Sequence, residues 1–98
     1  MQRQVFRYRF QENVSLDDIE AEIVLALLNV ECLHGPARTR LEATHYLDGE
    51  QRMLIVDATT EVAEDFNRLL VGGLLRAYGP DGFQVTRLLN PPKQERDP

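Results

Sequence analysis

The chain has 98 residues, a formal net charge of −5 and a single cysteine. That length holds one hydrophobic core and leaves no room for a second, and the acidic balance argues against general binding to nucleic acid or anionic membranes, which rests on basic surface. No apolar run approaches the roughly 18 residues of a membrane span, the opening MQRQVFRYRF has no signal-peptide apolar core, and Cys32 alone gives no disulfide framework, so a single soluble, cytoplasmic domain over residues 1–89 is expected.

Residues 5–10 alternate, with Phe6, Tyr8 and Phe10 against Arg7 and Arg9. The pattern predicts a half-buried strand with its aromatics inward and its arginines outward. Ser15 then caps a helix over 15–35, with Asp18 completing a capping-box-like pattern. Leu16, Ile19, Ile23, Leu27, Val30 and Leu33 or His34 mark its buried face; Val24, Ala26 and Leu28 widen that face, and Leu25 falls on the polar side with Asp18, Glu22 and Asn29. Gly35-Pro36 is a helix stop.

Residues 38–47 alternate again, Thr39, Leu41, Ala43, His45 and Leu47 against Arg38, Arg40, Glu42, Thr44 and Tyr46. Asp48-Gly49 is a two-residue hairpin signal, and 52–58 is the return strand, with Leu54, Val56 and Ala58 inward because the other choice buries Asp57. A second helix spans 59–79. Val62, Phe66, Leu69, Leu70, Gly73, Leu74 and Ala77 recur at three- and four-residue steps, Thr59 or Thr60 caps it, Glu61, Glu64 and Asp65 suit the positive end of its dipole, and Gly79-Pro80 stops it. The Gly72-Gly73 pair inside costs roughly 1 kcal/mol per glycine relative to alanine, which implies either close approach to a neighbouring element or a flat seat for a partner or ligand. Residues 83–89 form a last strand with Phe83 and Val85 inward, and 90–98, polar and rich in proline, are a disordered tail.

Strand, helix, strand, strand, helix, strand is the order over residues 4–89. It resembles the ferredoxin-like split β-α-β plait, an α+β fold. That resemblance implies a four-stranded antiparallel sheet with the first and third strands central, two helices on one face and the other face open. Fold resemblance of this kind carries no function.

With Asp48-Gly49 as the turn, Leu47 pairs with Glu50, Ala43 with Leu54, Leu41 with Val56 and Arg40 with Asp57. The open face then carries Arg7, Arg9, Arg38 and Arg40, the carboxylate of Asp57, and apolar Ile55, Met53, Tyr46 and Leu88. Three readings stand: a solvated face with weak cross-strand ion pairs, a sheet-to-sheet dimer with Ile55 and Met53 central and arginines at the rim, or an anion site in which arginines grip a carboxylate or phosphate. An RNA-binding sheet would stack bases on central aromatics, and here those positions are Arg7, Arg9, Met53 and Ile55.

Glu31, Cys32 and His34 at the first helix's end do not make a zinc site, because Cys32 and His34 diverge on a helix and no second ligand pair exists. Cys32 sits at the wrong helix end for thiolate activation. His45 points toward the helix layer within reach of Asp17 or Glu20, either as an acid-base pair or as a partly buried histidine with a satisfied hydrogen bond. Gly72-Gly73 lacks the following Lys-Ser/Thr of a phosphate loop. The expectation is therefore a non-catalytic module without metal or cofactor that forms a homodimer or binds a protein partner. The alternative is a small-molecule module or enzyme that uses the arginine face or a pocket near His45.

Overall fold

Ser15 and Thr60 start the two long helices in the way their chemistry demands. In the computed structural model, which describes residues 3–88, the Ser15 hydroxyl accepts from the Asp18 N–H at 3.4 Å and the Thr60 hydroxyl from the Ala63 N–H at 3.1 Å, each satisfying a first-turn donor that the helix cannot. The elements are β1 (Val5–Phe10), α1 (Leu16–His34), α2 (Pro36–Glu42), β2 (His45–Asp48), β3 (Met53–Asp57), α3 (Glu61–Tyr78) and β4 (Phe83–Leu88). The strands form one sheet in the order β2-β3-β1-β4, with every neighbouring pair antiparallel.

The class is α+β, but the two-helix βαββαβ plait is corrected: the described chain has three helices, and the element that overturns the plait is α2. Gly35 ends α1, its N–H donating to the Glu31 carbonyl at 2.8 Å, and with φ +86° it also opens α2. Pro36 takes the first helical position, where a missing N–H costs nothing. The hydroxyl of Thr39 donates back to the Gly35 carbonyl at 2.8 Å. Gly-Pro thus bends the chain from one helix into another.

The alternation over 38–47 misleads for a geometric reason. Thr39 and Ala43 are four apart, so they share a face in a helix as well as in a strand. Both are buried. Leu41, midway between them, separates the two geometries: a strand buries it, a helix turns it out, and it is 77 % exposed.

The hairpin register shifts with it. Leu47 faces Leu54, His45 faces Val56, Tyr46 faces Ile55 and Asp48 faces Met53, so the predicted pairings of Leu47, Ala43, Leu41 and Arg40 are corrected. The turn is a four-residue loop over 49–52. The Asp48 carboxylate accepts from the N–H groups of Glu50 and Gln51 at 3.1 and 3.2 Å. That is the local bonding by which aspartate builds turns, and it draws two more residues into the loop than an Asp-Gly turn needs.

The core lies between the sheet and the α1–α3 layer. Tyr8, Phe10 and Phe83 pack ring against ring at 6.1–6.4 Å. Leu54 and Val56 from β3, Ile19, Ile23, Ala26 and Val30 from α1, and Val62, Phe66, Leu70 and Leu74 from α3 join the same cluster. Each fully buried large side chain among them contributes about 1.5–3 kcal/mol. α2 packs against α1 and α3. The predicted tail over 90–98 and Leu89 lie outside the described residues.

Candidate functional site

By register, the sheet face away from the core carries three cross-strand rows: Tyr46, Ile55, Arg7 and Thr86; Asp48, Met53, Arg9 and Gln84; and Asp57, Val5 and Leu88. Arg7, Arg9, Ile55 and Asp57 are thus brought onto one face. Arg38 and Arg40 are not, because their segment is helical: both are exposed on α2, and Arg38 donates to Glu42 one turn on, at 3.3 Å.

Asp57 is occupied by its own neighbourhood. Its carboxylate accepts from the Thr59 hydroxyl at 2.6 Å, the Thr59 N–H at 3.1 Å and Arg3 at 2.8 Å. Thr59 in turn accepts from the Gln4 N–H at 2.9 Å. Partial burial acts to raise the Asp57 pKa, but these hydrogen bonds and the Arg3 charge outweigh it and hold the carboxyl below its ordinary value. The group ties the start of β1 to the β3–α3 connection. Arg7 differs: its Nε is buried and has no hydrogen-bond partner among the described residues, while Arg9 beside it is exposed.

His45 sits on the core side of the edge strand β2, its ring 5.6 Å from that of Phe66. It opens onto a groove of about 360 Å³ between α1 and β2. Of the two predicted acidic neighbours, Glu20 lines this groove with it and Asp17 does not; Ile23, Val24, Leu27 and Leu47 supply apolar wall. His34 is bonded elsewhere, its Nε2 2.8 Å from the Asp65 carboxylate, which joins α1 to α3. Among the described residues no group of three or more His, Cys, Asp or Glu side chains is placed to hold a metal ion, and no helix is long and apolar enough to cross a membrane.

The two central glycines separate in role. A Cβ on Gly73 would lie 2.5 Å from a carboxylate oxygen of Glu22, so this glycine marks where α3 and α1 come together. A Cβ on Gly72 meets nothing nearer than Arg76 at 3.9 Å.

The feature least visible in the sequence pattern is the outer side of α1. Ile19, Ile23, Ala26 and Val30 take the core face. Val24, Leu25 and Leu28 are 53, 50 and 54 % exposed, which corrects the placement of Val24 and Leu28 on the buried face. Leu25 and Leu28, with Ala21 and Cys32, also exposed, line the opposite side, while Val24 borders the groove. Ala21, Leu25, Leu28 and Cys32 follow a four-three-four spacing, the repeat of a helix–helix seam. A projection of α1 at 3.6 residues per turn shows two apolar stripes rather than one widened face, and that is the signal that finds them. Five carboxylates, Asp17, Asp18, Glu20, Glu22 and Glu31, border the helix, and it has no lysine or arginine.

Comparison with known protein families, with curated proteins and with solved structures finds no match.

Proposed function

We propose that this domain is a non-catalytic interaction module that associates with itself through the outer face of α1. The observation that supports this reading is the second apolar stripe. A helix that is apolar on both sides belongs between two layers, and the fold supplies one. Contiguous exposed apolar surface with a polar rim is the mark of a protein–protein contact. The sheet face is the weaker choice, because Ile55 and Met53 are already half-covered by their neighbours, whereas Leu25 and Leu28 are half-exposed or more.

The test is solution mass by light scattering from low micromolar to near millimolar concentration, on the wild type and on Leu28→Glu. The wild type is expected to approach twice the 11.3 kDa chain mass. Leu28→Glu is expected to stay at one chain mass with an unchanged circular dichroism spectrum, since an exposed substitution alters folding stability by only about 0.5 kcal/mol. A wild type that is monomeric throughout overturns this reading. If such a monomer gains thermal stability from inorganic phosphate, and Arg7→Ala abolishes the gain, anion binding at the sheet face takes its place, as the unpartnered Arg7 Nε suggests.

A further inference from the structure

The self-association reading leaves the partner's orientation open, and the charge pattern along α1 and α2 addresses it. Resting on that reading, we propose that the occupant of the outer face of α1 is the α1 of a second copy, running antiparallel about a two-fold axis near Leu25 and Leu28. The first turns of α1 carry Asp17, Asp18 and Glu20, all exposed, and the short helix that follows α1 carries Arg38 and Arg40, both exposed. The start of α1 is therefore acidic, while at the far end of the α1–α2 unit Arg38 is paired with Glu42 and Arg40 is a cation without an ion-pair partner among the described residues.

Only one of the two ways of pairing such a unit with itself brings opposite charges together. A parallel pair sets carboxylates against carboxylates and arginines against arginines, a like-charge arrangement that costs affinity. An antiparallel pair sets each acidic end against the partner's α2, and does so twice, as a two-fold interface requires. Helix dipoles also oppose each other in that arrangement. The four-three-four seam is compatible with it: an axis between Leu25 and Leu28 places Leu25 of one chain level with Leu28 of the other, and Ala21 level with Cys32. The Cys32 residues of the two chains are then separated by roughly 16 Å along the helices, at 1.5 Å per residue.

This level pairing makes the natural cysteine a reporter. Two cysteines cross-link only with Cα atoms within about 7 Å. The experiment compares the wild type with Ala21→Cys in the full chain, under air oxidation catalysed by copper-phenanthroline, read on a non-reducing gel beside the light-scattering mass. Ala21→Cys is expected to convert to a covalent dimer, while the wild type, bearing Cys32 alone, remains uncrosslinked. Arg40→Glu is expected to weaken the association several-fold and Arg40→Glu with Asp17→Arg to recover it, a readout that does not depend on cysteine chemistry. Wild-type cross-linking through Cys32 as fast as in the variant means parallel helices and overturns the inference. A dimer by mass with neither cross-link, and with no response to the charge exchange, also overturns it and moves the interface off α1's seam, while self-association itself stands. A monomer overturns both.

Discussion

Arg52 adopts φ +53°, a left-handed conformation that costs a residue with a side chain roughly 1–2 kcal/mol. Its guanidinium donates to the Gln11 carbonyl from Nε and Nη2, at 3.2 and 2.9 Å, and to the Val14 carbonyl. One side chain thus closes the 49–52 loop over the β1–α1 connection and offsets its own backbone strain. Arg52→Ala loses the bonds and keeps the strain, and is expected to lower stability by about 2 kcal/mol. Arg52→Gly loses the same bonds but relieves the strain, so its urea midpoint is expected to lie above that of the alanine variant; equal midpoints would contradict the account. Asp57 offers a second check at this scale. Its folded-state pKa is depressed, so its stabilisation is fully present above the ordinary carboxylate pKa and is lost as pH falls below about 4 through the lowered folded value. Urea unfolding at about pH 7 and about pH 3 is expected to show a smaller acid loss in Asp57→Asn than in the wild type. Tyr8 belongs with these two: burial pushes its phenol well above its ordinary pKa, which keeps it a neutral donor to the Asn67 side chain on α3.

At the scale of elements, α3 shows what a paired glycine does. Helix propensity alone favours alanine over glycine by about 1 kcal/mol at both positions. At Gly72 the added methyl makes only an ordinary contact with Arg76, so Gly72→Ala is expected to raise the urea midpoint by the equivalent of about 0.5–1 kcal/mol. At Gly73 the methyl meets the Glu22 carboxylate, the mobile end of a flexible side chain, which must rotate away; the propensity gain is then cancelled and Gly73→Ala is expected near neutral. A stabilised Gly73→Ala and a destabilised Gly72→Ala would reverse the assignment of which glycine touches α1. Helix α2 teaches the opposite lesson about patterns. Residues 39 and 43 satisfy a period of two and a period of four at once, and nothing local distinguishes the two until Leu41 is placed. Pro36 behind Gly35 admits both a stop and a restart, and packing against α1 and α3 selects the restart.

For the whole molecule, one sheet face is covered by α1 and α3, and α1 is left with a second apolar side. The acidic first turns of α1 and Arg40 of α2 lie at opposite ends of the α1–α2 unit, and the proposed pairing brings them together only when one copy is inverted. This is why the cross-linking and charge-exchange outcomes bear on the proposed self-association and not merely on stability. The sheet's far face, with Arg7 and Arg9 among Ile55, Met53 and Tyr46, loses Arg38 and Arg40 to α2, so it keeps two of the four arginines foreseen there.

What the amino-acid order determined by itself is local. Ser15 as a cap, Gly35 and Gly79 as helix ends, the core stripe of α3 through Val62, Phe66, Leu70 and Leu74, and the inward set Leu54, Val56 and Ala58 all follow from backbone donors, φ preferences and burial within a few residues, and the second cap is narrowed to Thr59 or Thr60. What only the tertiary structure decided is each choice between near-equal local options. The helical state of 36–42, the partners of Arg52 and the side of α1 that faces solvent are settled by contacts far apart in the chain. A local pattern constrains which residues share a face, but which face is buried depends on what else there is to bury it against.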